Sequence, residues 1–303
     1  MLTMRSDIAE LMERLTFPTE AREVLLSSFD RIAENATATA WWRRLMARYD
    51  ATEKCEYREM IEDARALADT LSIHRYTLEM LLFLGLGKKL RARYADRGID
   101  EEIYYASLMD LRYKLEECRL VHNVVGSFVS FWFPGFFDLS RFALGRLQFE
   151  VTTLKKDFTV CGETLPAGTK AINMHIPRTG TRMRHDDVLE SYRMAAETFA
   201  SKFGDAPIVF TCESWMLDPW HAEVLAPESN MVQFLRDFAI VETGKYAGYS
   251  SCWRFFDCPV GEDLDALPTD TTLRRVYVEK MRRGEPAAWA RGVFIWRDGK
   301  ICN

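Results

Sequence analysis

Residues 170–203 read KAINMHIP (170–177), RTGTRMRH (178–185) and DDVLESYRMAAETFASKF (186–203), and this stretch decides how the chain is interpreted. The first piece is an apolar run closed by proline, the pattern of a buried strand. The last is a helix that begins directly after the basic segment. Between them lies a loop with one glycine, Gly180, and four basic side chains, Arg178, Arg182, Arg184 and His185. Backbone N–H groups at a helix start lack intrahelical partners and sit at the positive end of the dipole, so a phosphate can be held there without dedicated side chains. The arginines would strengthen that hold. The same pattern also fits an ordinary strand-to-helix connection with a solvated basic loop.

Upstream of this stretch, from Pro18 to about His122, apolar residues recur at helical spacing: Val24, Leu25, Phe29 and Ile32; Ile61, Ala64, Leu67 and Leu71; Ile103, Leu108, Leu111 and Leu115. Asp100 stands where the last of these helices needs a cap, and Gly98 just past the end of the one before it. After Phe137 the period changes. RLQFEV (146–151), FTVCG (158–162), KAINMHIP, PIVFTC (207–212), DFAIV (237–241), CWRFF (252–256) and GVFIW (292–296) read as strands. Helices are expected between them at Asp186 to Lys202, Glu228 to Arg236 and Thr271 to Arg283. Leu165-Pro166-Ala167-Gly168 reads as a tight turn joining two neighbouring antiparallel strands. The fold class expected is α+β, an all-α domain over residues 1–138 followed by a mixed sheet domain over 139–303 with helices on both faces.

The chain has 303 residues, 48% hydrophobic and 28% charged, a composition that folds. Its net charge of −5 argues against a general nucleic-acid binder, which needs surplus Lys and Arg to displace counterions. A local basic loop remains compatible with a small anionic ligand. The opening MLTMRSDIAELMERL is interrupted by charges and lacks the apolar core of a secretory signal, which sets cytoplasmic as the expected location. Seven cysteines, at 55, 118, 161, 212, 252, 258 and 302, show no CxxC pair, so neither a zinc site nor a disulfide framework is indicated, and no metal is expected. The apolar run Val124 to Phe137 is too short for a membrane span. It reads as a buried aromatic segment forming a fixed contact between the two domains. Oligomeric state leaves no trace in the sequence.

Several motifs in order, YADRGIDEEIYYASLMDL (94–111), RFALGRLQFE (141–150), NMHIPRTG (173–180), TCESWMLDP (211–219), PESNMVQFLRDF (227–238) and TDTTLRRVYVEKMRRGEPAAWARGVF (269–294), together resemble a two-domain family. That family has an N-acyltransferase N-terminal helical domain followed by a GNAT-like C-terminal domain. The resemblance implies an acyl-coenzyme A binding fold and acyl transfer to an amine acceptor, with the helical half shaping the acceptor pocket. In GNAT enzymes the strand before the loop pairs with pantetheine amides, while the loop and helix start hold pyrophosphate. The resemblance carries these roles to Asn173 and Ile176 on the strand, to Arg178, Thr179, Gly180, Thr181, Arg182 and Arg184 in the loop, and to Asn230 near the leaving thiol. The loop departs from the usual QxxGxG or RxxGxA signature in having Gly180 alone.

Acyl transfer to an amine needs a base for the amine, polarisation of the thioester carbonyl and a proton for the leaving thiolate. His175, at the carboxyl end of the central strand, shares a face with Asn173 and Ala171 and titrates near ~6.5 when unperturbed. It is read as the base, or as a hydrogen-bonded structural residue. Glu150 shares the Arg146, Gln148 face of its strand and is read as a base or orienting carboxylate, or as the partner of Arg146. Cys212 is a candidate nucleophile for a two-step transfer, with a buried small apolar side chain as the alternative. Ser229 and Asn230 open a helix and so cap it. Tyr246 and Tyr249 flank Gly248 and are candidate general acids or core, and Trp215 is read as packing. Alternatives to an enzyme are a non-catalytic ligand-binding or interaction protein on the same scaffold, or a small-ligand sensor.

Overall fold

In the computed structural model, which describes residues 1–51, 55–249 and 251–303, the chain divides into two compact units, Met1–Phe142 and Ala143–Asn303. The first unit is helical: α1 (Leu2–Arg14), α2 (Thr19–Glu34), α3 (Ala36–Ala51), α4 (Tyr57–Thr70), α5 (Arg75–Asp96), α6 (Glu101–His122) and the short α7 (Pro134–Phe137). α5 is the axis of this unit. From Thr77 to Gly87 every residue is buried, which an amphipathic surface helix could not sustain. Phe83 lies with ring centroids 5.0 Å from both Phe133 and Phe137, and the Tyr49 hydroxyl donates to the Phe137 carbonyl at 2.8 Å. The aromatic segment expected to bridge two domains therefore finds ring partners inside the helical unit itself. Asp100 occupies the N-cap position of α6 without a side-chain capping bond, and Gly98, at φ +65°, ends α5 in the left-handed region. No described helix is long and apolar enough to cross a membrane.

The second unit holds β1 (Arg141–Leu144), which begins just before its boundary, β2 (Leu147–Thr153), β3 (Phe158–Val160), β4 (Glu163–Leu165), β5 (Lys170–His175), α8 (His185–Phe203), β6 (Ile208–Ser214), α9 (His221–Val224), α10 (Asn230–Arg236), β7 (Ala239–Lys245), α11 (Trp253–Phe256), α12 (Thr272–Arg282), β8 (Ala288–Arg297) and β9 (Lys300–Cys302). The sheet runs β1-β2-β5-β6-β8-β7, with β9 added to β8, and β3-β4 forms a separate hairpin. β2–β5, β6–β8 and β7–β8 are antiparallel, whereas β5 and β6 run parallel. That parallel ladder pairs only Ile172 with Phe210 and Asn173 with Thr211. Each strand then continues, β5 to His175 and β6 to Ser214, so the ladder stops before the strands do.

Register assigns the two faces. One carries Phe149, Ile172, Met174, Phe210 and Phe294, and Tyr192 of α8 packs on it with ring centroids 5.7 Å from Phe210 and 5.0 Å from Phe294. Gly292 has no side chain because Phe238 fills that space: a Cβ there would meet the ring at 2.6 Å. The other face is apolar in one half, where Ala171, Val209, Val293 and Ile295 cluster with Phe158, Val160 and Leu165 of the β3-β4 hairpin. A hairpin, not a helix, covers that half. The remaining half carries Glu150, Asn173, His175 and Thr211.

Three readings of the sequence are corrected here. CWRFF is not a strand: it contributes α11, whose Phe255 and Phe256 are buried with Cys252, three and four residues back, as helical spacing requires. The Leu165–Gly168 turn exists, with Thr169 N–H donating to the Pro166 carbonyl at 3.0 Å, but it leads from β4 to β5, which are not partners. The hairpin turn is instead Cys161-Gly162, both with positive φ (+52° and +73°), as a tight primed turn demands. Cys161 and Cys302 form a disulfide with Cα atoms 5.8 Å apart, a pairing that a spacing of 141 residues does not announce.

Candidate functional site

The carboxyl end of β5 gathers three of the residues singled out from sequence. Cross-strand pairing of Glu150 with Asn173, and of Gln148 with His175, sets all four positions side by side. Glu150 Oε1 lies 2.9 Å from His175 Nε2, and Asn173 Nδ2 donates to the same oxygen at 3.2 Å. The His175 and Glu150 side chains are 21% and 22% exposed, accessible to a ligand yet largely withdrawn from water. Arg146 Nη1 donates to the Pro177 carbonyl at 3.0 Å, tying the start of the following loop to the same strand pair. Along this face the polar series continues through Glu213, ion-paired with Arg291, whose Nη1 is 3.5 Å from Glu242, itself bonded to Lys156 at 2.6 Å.

Cys212 is elsewhere. It is fully buried on the opposite face, two residues from Phe210, and burial pushes its thiol well above the ordinary value. It is thus a small apolar side chain of the core, with neither access nor a base to generate thiolate. Asn173 also departs from the role the resemblance implied. In register it stands between Glu150 of β2 and Thr211 of β6, and its side-chain amide is engaged by the Glu150–His175 pair. The β5–β6 register ends at this point, with Met174 and His175 of β5 beyond it.

The loop that follows is fastened at both ends. Arg178 Nε donates to Asp257 Oδ1 at 3.0 Å, while Arg274 Nη2 takes Asp257 Oδ2 at 2.7 Å. At the far end His185 Nε2 is 2.9 Å from Asp237 Oδ1, and Tyr192 donates to Oδ2 at 3.1 Å; burial raises this carboxyl above its usual range. Between the two clasps Thr181 N–H donates to Thr179 Oγ1 at 3.3 Å, Gly180 takes φ +78°, Met183 is buried, and Arg182 and Arg184 are exposed. Only Gly180 among these needs glycine's freedom. The first turn of α8 also holds Asp186 and Asp187, both exposed. An anion at this helix start therefore depends on Arg182 and Arg184 for net positive charge.

Ser229 caps α10 through a bond from Val232 N–H at 3.3 Å, and Asn230 follows as the first helical residue, half-buried. Tyr246 and Tyr249 pack on the Phe255–Tyr277 cluster, and the Tyr249 hydroxyl donates to the Met281 carbonyl at 3.4 Å. Asp237 and Asp257 complete the two clasps without a mark in the local sequence, their partners lying 52 and 79 residues away. Among the described residues, no group of three or more His, Cys, Asp or Glu is placed to hold a metal ion.

Residues 141–294 match the family described as GNAT-like C-terminal domain, and residues 6–139 match the N-acyltransferase N-terminal domain. Among solved structures, an acyltransferase in complex with decanoyl-CoA and teicoplanin is similar at TM-score 0.71 and 24% identity, over 95% of this chain and 87% of that one. A mutant acyltransferase in complex with octanoyl-CoA is similar at TM-score 0.71 and 22% identity, over 94% and 86%. A third, in complex with CoA and 10C-teicoplanin, gives TM-score 0.71 at 23% identity over the same shares. No curated protein matches the chain. At these identities the solved structures establish the fold, and the match of residues 141–294, half of the sequence, establishes the kinship: the chain belongs to the GNAT-like C-terminal domain family, preceded by an N-acyltransferase N-terminal domain.

Proposed function

We propose that this protein transfers an acyl group from acyl-coenzyme A to an amine. The observation that carries the reading is the His175–Glu150 pair, 2.9 Å apart and part-buried, where the parallel β5–β6 ladder ends and a basic loop begins. Pantetheine would lie along β5 beyond Asn173, with Ile176 beside it, and the pyrophosphate would meet Thr179, Gly180, Thr181, Arg182, Arg184 and the start of α8. Arg178, held by Asp257, serves to fix the loop. Asn230, at the start of α10, is the residue nearest in role to the leaving thiol.

In the reaction the amine nitrogen bonds to the thioester carbonyl carbon while its proton passes to the His175 imidazole. Glu150 stabilises the imidazolium so formed. The C–S bond then breaks, the amide is released, and the proton goes to the departing thiolate to give coenzyme A. No metal enters this chemistry, and no acyl-enzyme on Cys212 is needed. The acyltransferases of like fold hold decanoyl and octanoyl chains, which favours a medium-chain donor.

The test is thermal melting with coenzyme A and with acetyl-, octanoyl- and decanoyl-coenzyme A, followed by release of free coenzyme A thiol in the presence of amine acceptors, teicoplanin among them. A ligand that binds the folded state alone raises the melting temperature. A melting shift that grows with acyl length, with amine-dependent thiol release, is the expected result. No shift with any thioester would refute donor binding, and a shift without transfer to any amine would leave a coenzyme A binding protein.

A further inference from the structure

The face of the sheet that carries His175 continues on the β6 side as a line of charge. Thr211 is the last β6 residue paired with β5, and Glu213 stands two residues beyond it on the same face, as His175 stands two beyond Asn173. Cross-strand pairing sets Glu213 beside Arg291, and Arg291 beside Glu242 of the edge strand β7. Lys156 Nζ reaches Glu242 at 2.6 Å, Glu242 lies 3.5 Å from Arg291 Nη1, and Arg291 Nη2 donates to Glu213 Oε2. The series Lys156, Glu242, Arg291, Glu213 alternates in sign and finishes in a carboxylate on the strand next to β5. Arg291 takes one oxygen of Glu213, whereas that side chain is 50% exposed and a carboxylate has about four acceptor sites. Two residues further along β8, on the same face, is Trp289. It pairs with Gly244 of β7, and a Cβ on Gly244 would meet the indole Cε2 at 2.5 Å, so the ring occupies the place of the missing side chain. Covering an edge-strand glycine explains where the ring lies. It leaves the indole half-buried beside the carboxylate end of the ion series, one strand and two rows from Glu213.

We propose that Glu213 and Trp289 form the acceptor subsite and that it takes a primary amine carried on an aromatic ring: the ammonium donates to Glu213, and the aromatic ring lies against the Trp289 indole. The proposal rests on the reading of the protein as an acyltransferase to amines, and it names the class of amine. An aliphatic amine, with a pKa near ~10.4, reaches the protein as an ammonium ion, so its capture calls for a carboxylate with acceptor capacity to spare. Strand geometry sets the size of the acceptor. Trp289 stands about 7 Å along the strands and about 5 Å across from Glu213, so ring and amine are joined by a short linker. Arg291 is a positioning residue here: balanced on its other side by Glu242, it fixes the Glu213 carboxylate through Oε2. Contact with Glu213 favours the charged form of the amine. The ammonium therefore gives one proton to water on leaving Glu213, and the neutral amine then reacts at the thioester as described. Loss of Glu213 weakens capture and spares the chemical step.

The probe is 2-phenylethylamine, with n-butylamine as a comparator of equal charge and no ring. In the full-length protein with coenzyme A present, the indole N–H groups of the eight tryptophans are followed by ¹H–¹⁵N correlation, and Trp289→Leu identifies the resonance concerned. 2-Phenylethylamine should move the Trp289 resonance, and Glu213→Gln should weaken that titration about 3- to 10-fold, the worth of one half-exposed charged hydrogen bond. In steady state with saturating acyl donor, Glu213→Gln should raise KM for the amine by the same factor, with kcat within about twofold. Trp289→Leu should raise KM for 2-phenylethylamine roughly 2- to 10-fold and leave that for n-butylamine unchanged. A Trp289 resonance that ignores the amine, a Glu213→Gln titration equal to wild type, or an equal loss for both amines in Trp289→Leu overturns the proposal. Should Trp289→Leu fail to fold, Trp289→Phe, which still covers Gly244, identifies the resonance, and Glu213→Gln carries the test. The titration needs no turnover, so amine binding at Trp289 without transfer from any thioester would sink the proposed function and leave the subsite standing.

Discussion

Replacing Glu150 with glutamine keeps the shape of the side chain and removes its charge, which isolates what the carboxylate does for His175. The contact is 2.9 Å long, and both side chains are about one-fifth exposed, so the pair is only partly screened by water. A hydrogen bond with one charged member is worth about 1.5–3 kcal/mol. The carboxylate meets a neutral ring in the ground state and an imidazolium once the proton has moved, so most of that difference falls on the transition state. At ~1.4 kcal/mol per factor of ten, kcat should fall roughly 10- to 150-fold. KM for the acyl donor should hold, because the lost interaction strengthens only as charge develops. His175→Gln should fall further, by about 10² to 10⁴, the usual worth of a positioned base. The assay is release of coenzyme A thiol with a saturating amine, with melting curves to establish that both variants are folded. A Glu150→Gln enzyme within about twofold of wild type beside an inactive His175→Gln enzyme would refute the assigned role of Glu150. Near-normal rates for both would move the base elsewhere.

Three further outcomes follow from other parts of the second unit. The disulfide between Cys161 and Cys302 closes a loop of 141 residues, worth about 5 kcal/mol in the chain-entropy picture, so reduction or Cys161→Ser should lower the melting temperature by roughly 10 °C or more; seven thiols titrating in denaturant without reductant would refute the bond. Arg182→Ala with Arg184→Ala should weaken coenzyme A binding roughly 3- to 10-fold per residue, more at low salt than at high, since both side chains are exposed and screened; calorimetry showing unchanged affinity would take the pyrophosphate away from this loop. His221 is fully buried with Nε2 2.8 Å from the Tyr277 hydroxyl, and burial, the largest cause, lowers its pKa below the ordinary 6.5. The folded state therefore binds this proton less readily than the unfolded chain, so its contribution to stability is whole above about pH 6.5 and declines as pH falls below that value, by up to ~1.4 kcal/mol per pH unit. His221→Gln should flatten the pH dependence of denaturant midpoints across that window, and an unaltered slope would contradict it.

How far the sequence carries is set by the range of the forces involved. The strand, basic loop and helix of residues 170–203 are legible because period and punctuation are local properties. The placement of His175 with Asn173 on one face, and of Glu150 with Gln148 on another strand, follows from alternation alone. That these two faces are the same surface depends on the β2–β5 register, and alternation is silent about register. The clasps of the loop, Asp257 for Arg178 and Asp237 for His185, depend on tertiary folding and leave no trace in spacing. CWRFF misleads because a short apolar run fits a buried strand and a helical turn equally well. Cys212 illustrates the opposite case: the residue type suggested chemistry, and its depth under α8 forbids it.

α5 has a consequence for how the helical unit opens. It packs against α1, α2, α3, α4 and α6, and its buried stretch faces in every direction around the helix axis. None of those five helices can detach without uncovering part of it, and α5 cannot leave without emptying the core of all five. Native-state hydrogen exchange should accordingly find a single cooperative block, with the amides of α5 exchanging only at the free energy of opening the whole unit. A helical domain cut inside residues 75–96 would divide between two fragments the one helix that α1, α2, α3, α4 and α6 all pack against.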